Sequence, residues 1–557
     1  MLAARIDRLP PEQKELLQTL AVVGREFPIG LVRRVAQHSE LELDRMLGEL
    51  QLAEFIHEQP AFPETEFIFK HALTQEVAYN SILVERRKQI HEQAAQAIEV
   101  LYAANLPDHY ADLARHYVRS GNMPKAVNYL HLAGQQSLAR SAYQEANAQL
   151  TEALELLRTR IESAERDRTE IALVLDLAMC IGPGGLTDLE SGISMLERAL
   201  QLSGKIGDDV SRLKILESLD YLCGILHHQL KRARAANREV LAVGEQQRDS
   251  ELIGWARARL AWLSMHEGDF RTALKELDEA YRILEIPSLP YRVRPVDWRV
   301  HSRAFASIIL WVSGYPARAI ARAREAFAVV REVEAAPPDR IFACWWASNL
   351  NLLLREPTTA RAFIEEASTL SAHHGLISLV TAGVHAEGWA LVQLGQIDAG
   401  LSHMLRYKTD IVNQGSVFDS WLILTLASAY LASGHALEGI GAVDEGLELC
   451  RTSGVRMLEC ELHRLKGELL LNNGNDEAAA QCFHDAIELA CHQSAKSWEL
   501  RATTSLARLL RKQGRRDEAR VMLTEIYNWF IEGFDTADLK EAKALLDELD
   551  WPETIER

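Results

Sequence analysis

A small residue that returns about every 40 positions through the C-terminal half constrains this chain more than any other feature. The anchors are Ala273, Ala319, Ala360, Gly400, Gly439, Ala479 and Ala519, with spacings of 46, 41, 40, 39, 40 and 40 residues. Twelve residues before each anchor stands a second small residue: Ala261, Ser307, Ser348, Gly388, Ala427, Gly467 and Ala507. Five residues before it stands Gly268, Gly314, Gly395, Gly434, Gly474 or Gly514, and only the third copy departs, with Arg355. Seven residues after it come Ala280, Ala326, Ala367, Tyr407, Gly446, Ala486 and Tyr527. Small residues let two helices approach closely, and a glycine ends the first helix before a tight turn. Each copy therefore predicts a helix–turn–helix hairpin, and a stack of hairpins predicts a solenoid.

The copies running from Gly268-Asp269-Phe270 to Ala280 and from Gly474-Asn475-Asp476 to Ala486 resemble tetratricopeptide repeats. Their spacing exceeds the usual value of about 34 residues. In this they are similar to the long-period superhelical repeats of bacterial regulatory ATPases. A weaker unit covers Tyr117 to Ala133, with Gly121, Ala126 and Leu130; Ala146, Leu150 and Ala153 fit the second helix of another. Between Arg158 and Arg248 helices are expected but no repeat register emerges.

The first hundred residues read differently. Pro10-Pro11 opens a helix through about Val23, with Leu16, Leu17, Leu20 and Val23 on one face. A second helix follows Pro28 to about Ala36, and Ser39 or Glu40 starts a third through Leu50. Glu54 to Phe69 then predicts strand, turn, strand, with Pro60 and Pro63 at the turn. Three helices and a hairpin make a winged helix. The expected fold is thus all-α: a right-handed α-solenoid of tetratricopeptide-like helix hairpins preceded by a small winged-helix domain. The expected divisions are 1–105 for the winged helix and a connecting helix, 106–250 for degenerate repeats, 251–535 for regular repeats and 536–557 for a C-terminal capping helix.

Charge bears on the partner. The net charge is −18, and the third helix, which would read DNA in a winged helix, carries Glu40, Glu42, Asp44 and Glu49 against Arg45. A groove-reading helix needs cationic or amide side chains, so nucleic acid is not the expected partner. No apolar run approaches the length of a membrane span, and Arg5, Asp7 and Arg8 stand where a signal peptide needs an apolar core. The seven cysteines are odd in number and form no C-x-x-C. They fit buried thiols in a reducing cytoplasm of bacterial type, with no metal and no membrane contact. The doublets His227-His228 and His373-His374 suit surface positions better than a metal, since neighbours on a helix point about 100° apart.

Three regions carry a family resemblance. Phe69-Lys70-His71-Ala72-Leu73-Thr74-Gln75-Glu76-Val77-Ala78-Tyr79, followed by Arg86-Arg87-Lys88-Gln89-Ile90-His91, resembles the winged-helix end of STAND-class signalling ATPases. Leu2 to Pro10 and the segment Trp529-Phe530-Ile531-Glu532-Gly533-Phe534 through Leu546 resemble the same group. Within it, the most similar proteins join a class III adenylate/guanylate cyclase, an AAA-type ATPase and a tetratricopeptide tail. The resemblance implies a regulatory and sensor module that binds a protein, peptide or small ligand in its groove. It also implies ATPase and cyclase domains acting with it in cis or in trans. A transcription regulator using the winged helix on DNA is the alternative.

The resemblance does not extend to catalysis. No G-x-x-x-x-G-K-[ST] occurs in these residues, and Gly182-Pro183-Gly184-Gly185 fits a helix–helix turn. G-x-S-x-G and H-E-x-x-H are absent too. The chain is expected not to be an enzyme and to need no cofactor.

Two sets of residues are candidates for function. By resemblance, His71 holds the place of a winged-helix histidine that senses nucleotide, although Phe-Lys-His-Ala stands where the family has Met-His-Asp. Read locally, His71 is a helix-start residue. The second set is a stripe 18, 15, 11 and 8 residues before each anchor, on a different face from the packing residues. It holds Trp255, Trp262, Trp311, Trp345, Trp389 and Trp421, six of the eleven tryptophans, with His301, Phe342, Asn349 and His385. These ten residues either line a concave groove as a ligand site or form the core of a tightly wound solenoid. In the last two copies Glu461, Arg464, Glu468, Arg501 and Arg511 take the stripe, which predicts a charged end beyond the aromatic one.

Overall fold

The computed structural model describes residues 2–36, 38–59, 65–140, 142–181, 188–226, 229–284, 297–332, 337–374, 383–411 and 419–550. Pro60, Pro63, the Gly182–Gly185 run and the His227-His228 doublet lie outside the described residues. The chain divides into two compact units, one of Met1–Leu186 with Gln201–Ser211, the other of Thr187–Leu200 with Arg212–Arg557.

The first unit opens with α1 (Leu2–Ile6) and α2 (Pro11–Val23), then β1 (Glu26–Pro28), α3 (Ile29–Val35), α4 (Glu40–Leu52), β2 (Ile56–Gln59) and β3 (Glu66–Phe69). Proline at the first turn of α2 leaves no donor wasted there. Ser39 and Glu42 close a reciprocal capping box at α4. The sheet order is β1-β3-β2, antiparallel throughout, with Phe27 opposite Phe67 and Ile56 opposite Phe69. Strand β1 was not foreseen, because Glu-Phe-Pro is too short to show alternation. Three helices and a three-stranded sheet are consistent with a winged helix. The core beneath the sheet is Leu16, Leu20, Met46, Leu50, Phe27 and Phe69.

Further helices complete this unit. They include α5 (Ala72–Asn80), α6 (Val84–Leu101), α7 (Tyr110–Ser120), α8 (Met123–Ala139), α9 (Tyr143–Arg158) and α10 (Ala164–Cys180). The α7–α8 hairpin turns at Gly121, and Gly134 lets Leu150 of α9 come so close that an added methyl would lie 2.6 Å from it. Next along the chain come α11 (Leu189–Ile206), α12 (Asp209–Tyr221) and α13 (Leu230–Gln247), the last in the second unit.

The regular hairpins of the second unit are α14 (Ser250–His266) with α15 (Phe270–Leu284), α16 (Trp298–Val312) with α17 (Pro316–Glu332), and α18 (Pro337–Leu353) with α19 (Pro357–His374). Then follow α20 (Val384–Gln393) with α21 (Ile397–Ile411), α22 (Asp419–Ser433) with α23 (Ala436–Ser453), α24 (Glu459–Asn472) with α25 (Asp476–Gln493), and α26 (Lys496–Lys512) with α27 (Arg516–Tyr527). The small residues sit where the helices of each pair meet. A methyl at Gly388 would lie 2.3 Å from Met404 Cγ, and one at Gly467 2.4 Å from the Phe483 ring. Ser348 Oγ donates to the Ala360 carbonyl at 2.9 Å, joining the small residue twelve before the anchor to the anchor itself. The closing helix α28 (Ala537–Asp550) lays Leu539, Ala542, Leu545 and Leu549 on the last hairpin.

The two helices of a hairpin differ in surroundings. Second helices bury one face only, as in α17, where Ala319, Ala326 and Val330 are buried. First helices are buried nearly all round, as from Ala258 to His266 in α14. They form an inner layer because the superhelix closes on itself. The carbonyl of His266 accepts from the backbone N–H of Arg456 and Met457, and Arg271 donates to Ser494. Ser497 donates to the Trp311 carbonyl, and the Trp311 and Trp498 rings meet edge to face at 4.8 Å. Trp529 covers Gly314, Glu532 takes Arg318 at 3.2 Å, and Gly533 abuts Pro316. Arg501 donates to the Leu353 carbonyl, and Arg355 pairs with Glu541 of α28. Along this seam the turns of the first three copies meet the last copies and the closing helix.

Candidate functional site

The stripe 18, 15, 11 and 8 residues before each anchor does face the superhelix axis, but it lines no open groove. Trp255, Trp262, Trp311, Trp345, Trp389 and Trp421 are all buried, none more than 8% exposed. The expectation of an open aromatic groove is corrected on this point: the far side of the superhelical turn occupies the space that the groove would need. His301, Asn349 and His385 are buried as well. The aromatic residues form a ladder across the inner helices. Trp298 meets His301 at 5.6 Å, His301 stacks on Phe342 at 3.7 Å, and Phe342 leads to Trp345, His385 and Trp421. Polar members are satisfied from within: His301 Nε2 lies 3.0 Å from Asp339, and His385 Nε2 lies 2.9 Å from the side-chain Oδ1 of Asn349. Burial holds His301 below the usual imidazole range, although Asp339 pulls the other way. Trp262 carries Arg259 over its face at 4.5 Å, and Arg259 in turn donates to the buried Asp220 at 2.5 Å.

Beyond the ladder the axis opens into a cavity of about 270 Å³. Its walls come from the inner helices α18, α20, α22, α24 and α26 and from α28. Stripe positions supply most of the lining: Leu352, Trp389, Leu424, Ser428 and Leu431 on one part, Glu461, Arg464, Glu468, Arg501 and Arg508 on the other. Trp389 is the one tryptophan of the predicted set that reaches it. Arg511 does not line it; it pairs with Glu548.

Ion pairs dominate the chemistry of this cavity. Arg464 grips both oxygens of Glu461 at 2.8 Å and reaches Glu468 at 3.2 Å. Arg501 binds Glu461 at 3.3 Å and Asp538 at 2.9 Å, while its guanidinium lies over Trp311 and Trp498. Glu541 takes both Arg355 and Arg508. Burial would push the Glu461 carboxyl up, but Arg464 and Arg501 together hold it below the usual carboxylate range. Burial likewise works against the Arg464 cation, and Glu461 more than offsets it. Four arginines thus face four carboxylates. Two groups in the lining, Ser428 and Gln393, make no side-chain hydrogen bond among the described residues.

The residues not foreseen are Arg355, Trp498, Asp538 and Glu541. Trp498 and Trp298 stand 21 residues before their anchors, so extending the stripe by one helical turn would have found both. Asp538 and Glu541 lie outside the repeats and reach the axis only through the seam.

His71 stands at the start of α5, exposed, with no capping bond from its ring. Its neighbour Lys70 pairs with Glu54 at 3.0 Å. The His373-His374 rings meet at 4.8 Å at the exposed end of α19, and no group that could hold a metal ion occurs among the described residues. All seven cysteines are free; burial pushes the thiols of Cys223, Cys344 and Cys450 up to about 12. No helix among the described residues is long and apolar enough to cross a membrane.

No protein-family model matches the chain. An uncharacterized protein of Rhizobium meliloti (strain 1021) is 26% identical over 192 residues, which are 34% of this chain and 19% of that protein. The chain therefore matches about a fifth of the length of this relative. Among solved structures, a STAND signal-transduction ATPase with a tetratricopeptide-repeat sensor from Pyrococcus horikoshii is similar at 11% identity. The match covers 88% of this chain and 66% of that one, with a TM-score of 0.37. A Rap protein complexed with Competence and Sporulation Factor is 12% identical, over 68% of this chain and 99% of that one, with a TM-score of 0.46. Yeast Tom70 is 12% identical over 84% of this chain and 94% of its own, with a TM-score of 0.32. The likeness is one of helical-repeat fold, which the hairpins above define by themselves.

Proposed function

We propose that this chain is a sensor and protein-interaction module of a signalling ATPase–nucleotide cyclase system, without catalysis of its own. A ligand or peptide in the solenoid interior changes how tightly the superhelical turn is closed, and that closure is what the effector reads. One observation carries the reading: the cavity walls come from both sides of the seam. Leu353 and Arg355 stand on one side, Arg501, Asp538 and Glu541 on the other. Whatever fills the cavity therefore acts on the closed and open states unequally, which is the condition for a ligand to shift their populations. The seam is built of hydrogen bonds, ion pairs and a few aromatic contacts rather than a continuous apolar layer. The buried stripe residues Trp255, Trp262, His301, Trp311, Trp345, Asn349, His385 and Trp421, with Phe342, would then sense the ligand through packing, with Trp389 touching it directly. His71, exposed at the head of α5, is free to meet a nucleotide phosphate held by an ATPase domain.

The test joins the chain to its effector. Co-expression with the class III cyclases of the same cell is expected to change cyclic nucleotide output, and a seam variant such as Trp529→Ala is expected to alter that change. Output that is unaffected by the chain in every pairing would reject the reading. A DNA-binding role is the weaker alternative, because the outward face of α4 presents Leu41, Asp44, Glu49 and Leu52. A gel shift with the purified chain separates the two.

A further inference from the structure

We infer that the axial cavity is a site for a small zwitterion of amino-acid size, one that carries a carboxylate, an ammonium group and an apolar side chain. The inference deepens the proposed sensing role and rests on it. Size comes first: about 270 Å³ lies just below the range of pockets that enclose drug-sized molecules. Charge comes second. The lining sets Arg355, Arg464, Arg501 and Arg508 against Glu461, Glu468, Asp538 and Glu541. An ion of one sign would meet as many repelling as attracting groups. A zwitterion can extend the alternating array, its carboxylate beside an arginine and its ammonium beside a carboxylate, with net charge unchanged. The desolvation of Glu461 and Arg464 is already met in the folded state, so the site is preorganised.

The uncharged lining agrees with this class. Trp389 with Leu352, Leu424 and Leu431 supplies an apolar part of the lining. Ser428 and Gln393 add uncommitted polar groups, Gln393 at an exposed position.

The experiment is calorimetry on the full chain with each of the twenty L-amino acids in turn. For whichever binds, the matching amine without the carboxylate and the matching acid without the ammonium are then titrated. One amino acid, or a chemically related few, is expected to bind one to one, with both single-charge analogues at least tenfold weaker. Ser428→Phe, which fills the cavity without touching an ion pair, is expected to abolish binding. If its melting temperature shows misfolding, Gln393→Trp at the exposed position takes its place. No binding by any of the twenty, equal binding of a single-charge analogue, or binding that survives a folded blocking variant would each overturn the inference. A peptide that binds in a Ser428→Phe-sensitive way while no amino acid does would overturn it and leave the proposed sensing role standing. An amino acid that binds without changing hydrogen exchange at the seam would do the reverse.

Discussion

Arg355 shows how a single residue can carry strain for a purpose. Six of the seven repeat turns place glycine in the left-handed region, and the third places Arg355 there at φ 64°. A side chain in that region costs about 1–2 kcal/mol. The cost is borne where the guanidinium reaches Glu541 and Asp538 across the seam. Arg355→Gly is therefore expected to melt about 1 kcal/mol more stably than Arg355→Ala, and both are expected to exchange seam amides faster than the parent chain. Equal stability of the two variants would remove the strain argument. Trp262 makes the opposite point. On the sequence alone its loss would spare folding; buried at 2% and stacked under Arg259, it is expected to cost about 3–5 kcal/mol as Trp262→Ala. Chemical denaturation measures that difference. The departure at Arg355 was visible in the sequence because it broke a glycine rule. The burial of Trp262 was not, because the residues that cover this inner layer come from copies far along the chain.

Elements were legible wherever periodicity ran for three turns or more. The hairpins, the packing residues and the closing helix all follow from small residues at fixed offsets, and Gly388 and Gly467 sit where a larger side chain has no room. Gly388→Leu and Gly467→Leu are accordingly expected to lose about 1–3 kcal/mol or more by overpacking. The three-residue strand β1 was not legible, being shorter than any period. In the first unit, α5, α6 and α7 meet around a polar core that repeats do not explain. Tyr79 lies 3.0 Å from His91 Nε2, and His91 Nδ1 lies 3.0 Å from His116 Nδ1, both rings fully buried. Burial foremost, and then Arg119, Arg115 and Arg87, push His91 down to about 3; burial, and then Arg115, His91 and Arg119, push His116 down to about 2. Both rings are therefore neutral in the folded unit. The unfolded chain takes up protons below about 6.5 and the folded one does not. Stability is then complete above that pH and falls as the pH drops from about 6.5 toward 3. Most carboxylates titrate below about 4.5, so the interval above it isolates the histidines. Thermal melts between pH 6.5 and 4.5 are expected to slope downward, and the slope should flatten in the His91→Leu/His116→Leu double variant.

At the scale of the molecule, the second unit is not the open ribbon that nearest-neighbour repeats suggest. Gly533 at φ 77° brings its backbone against Pro316, where a methyl would lie 2.1 Å from the ring. Gly533→Val is expected to part the seam without unfolding the hairpins. Small-angle scattering should then report a larger radius of gyration at unchanged helicity, whereas loss of helicity would mean that the seam holds up the repeats themselves. The superhelix was legible as a class and its closure was not. Period and register follow from neighbours in sequence. Closure depends on contacts between residues such as Trp311 and Trp498, whose partnership no local pattern encodes.

The seam also sets an order of events during synthesis. Trp311 leaves the ribosome well before Trp498, whose ring meets it edge to face, and Gly314 before Trp529, which covers it. At translation rates of about 5–20 residues per second, a nascent chain spends roughly 10–40 seconds with the Trp311 indole uncovered. A chain arrested before Lys496 is expected to display a naked aromatic face and to be held by chaperones or to aggregate, while one released after Asp550 is not. Ribosome-bound intermediates of the two lengths, compared by crosslinking to chaperones, would measure this. The segment from Lys496 to Asp550 thus acts as a timed cover: until it arrives, the aromatic face around Trp311 stays open to the cell's quality control.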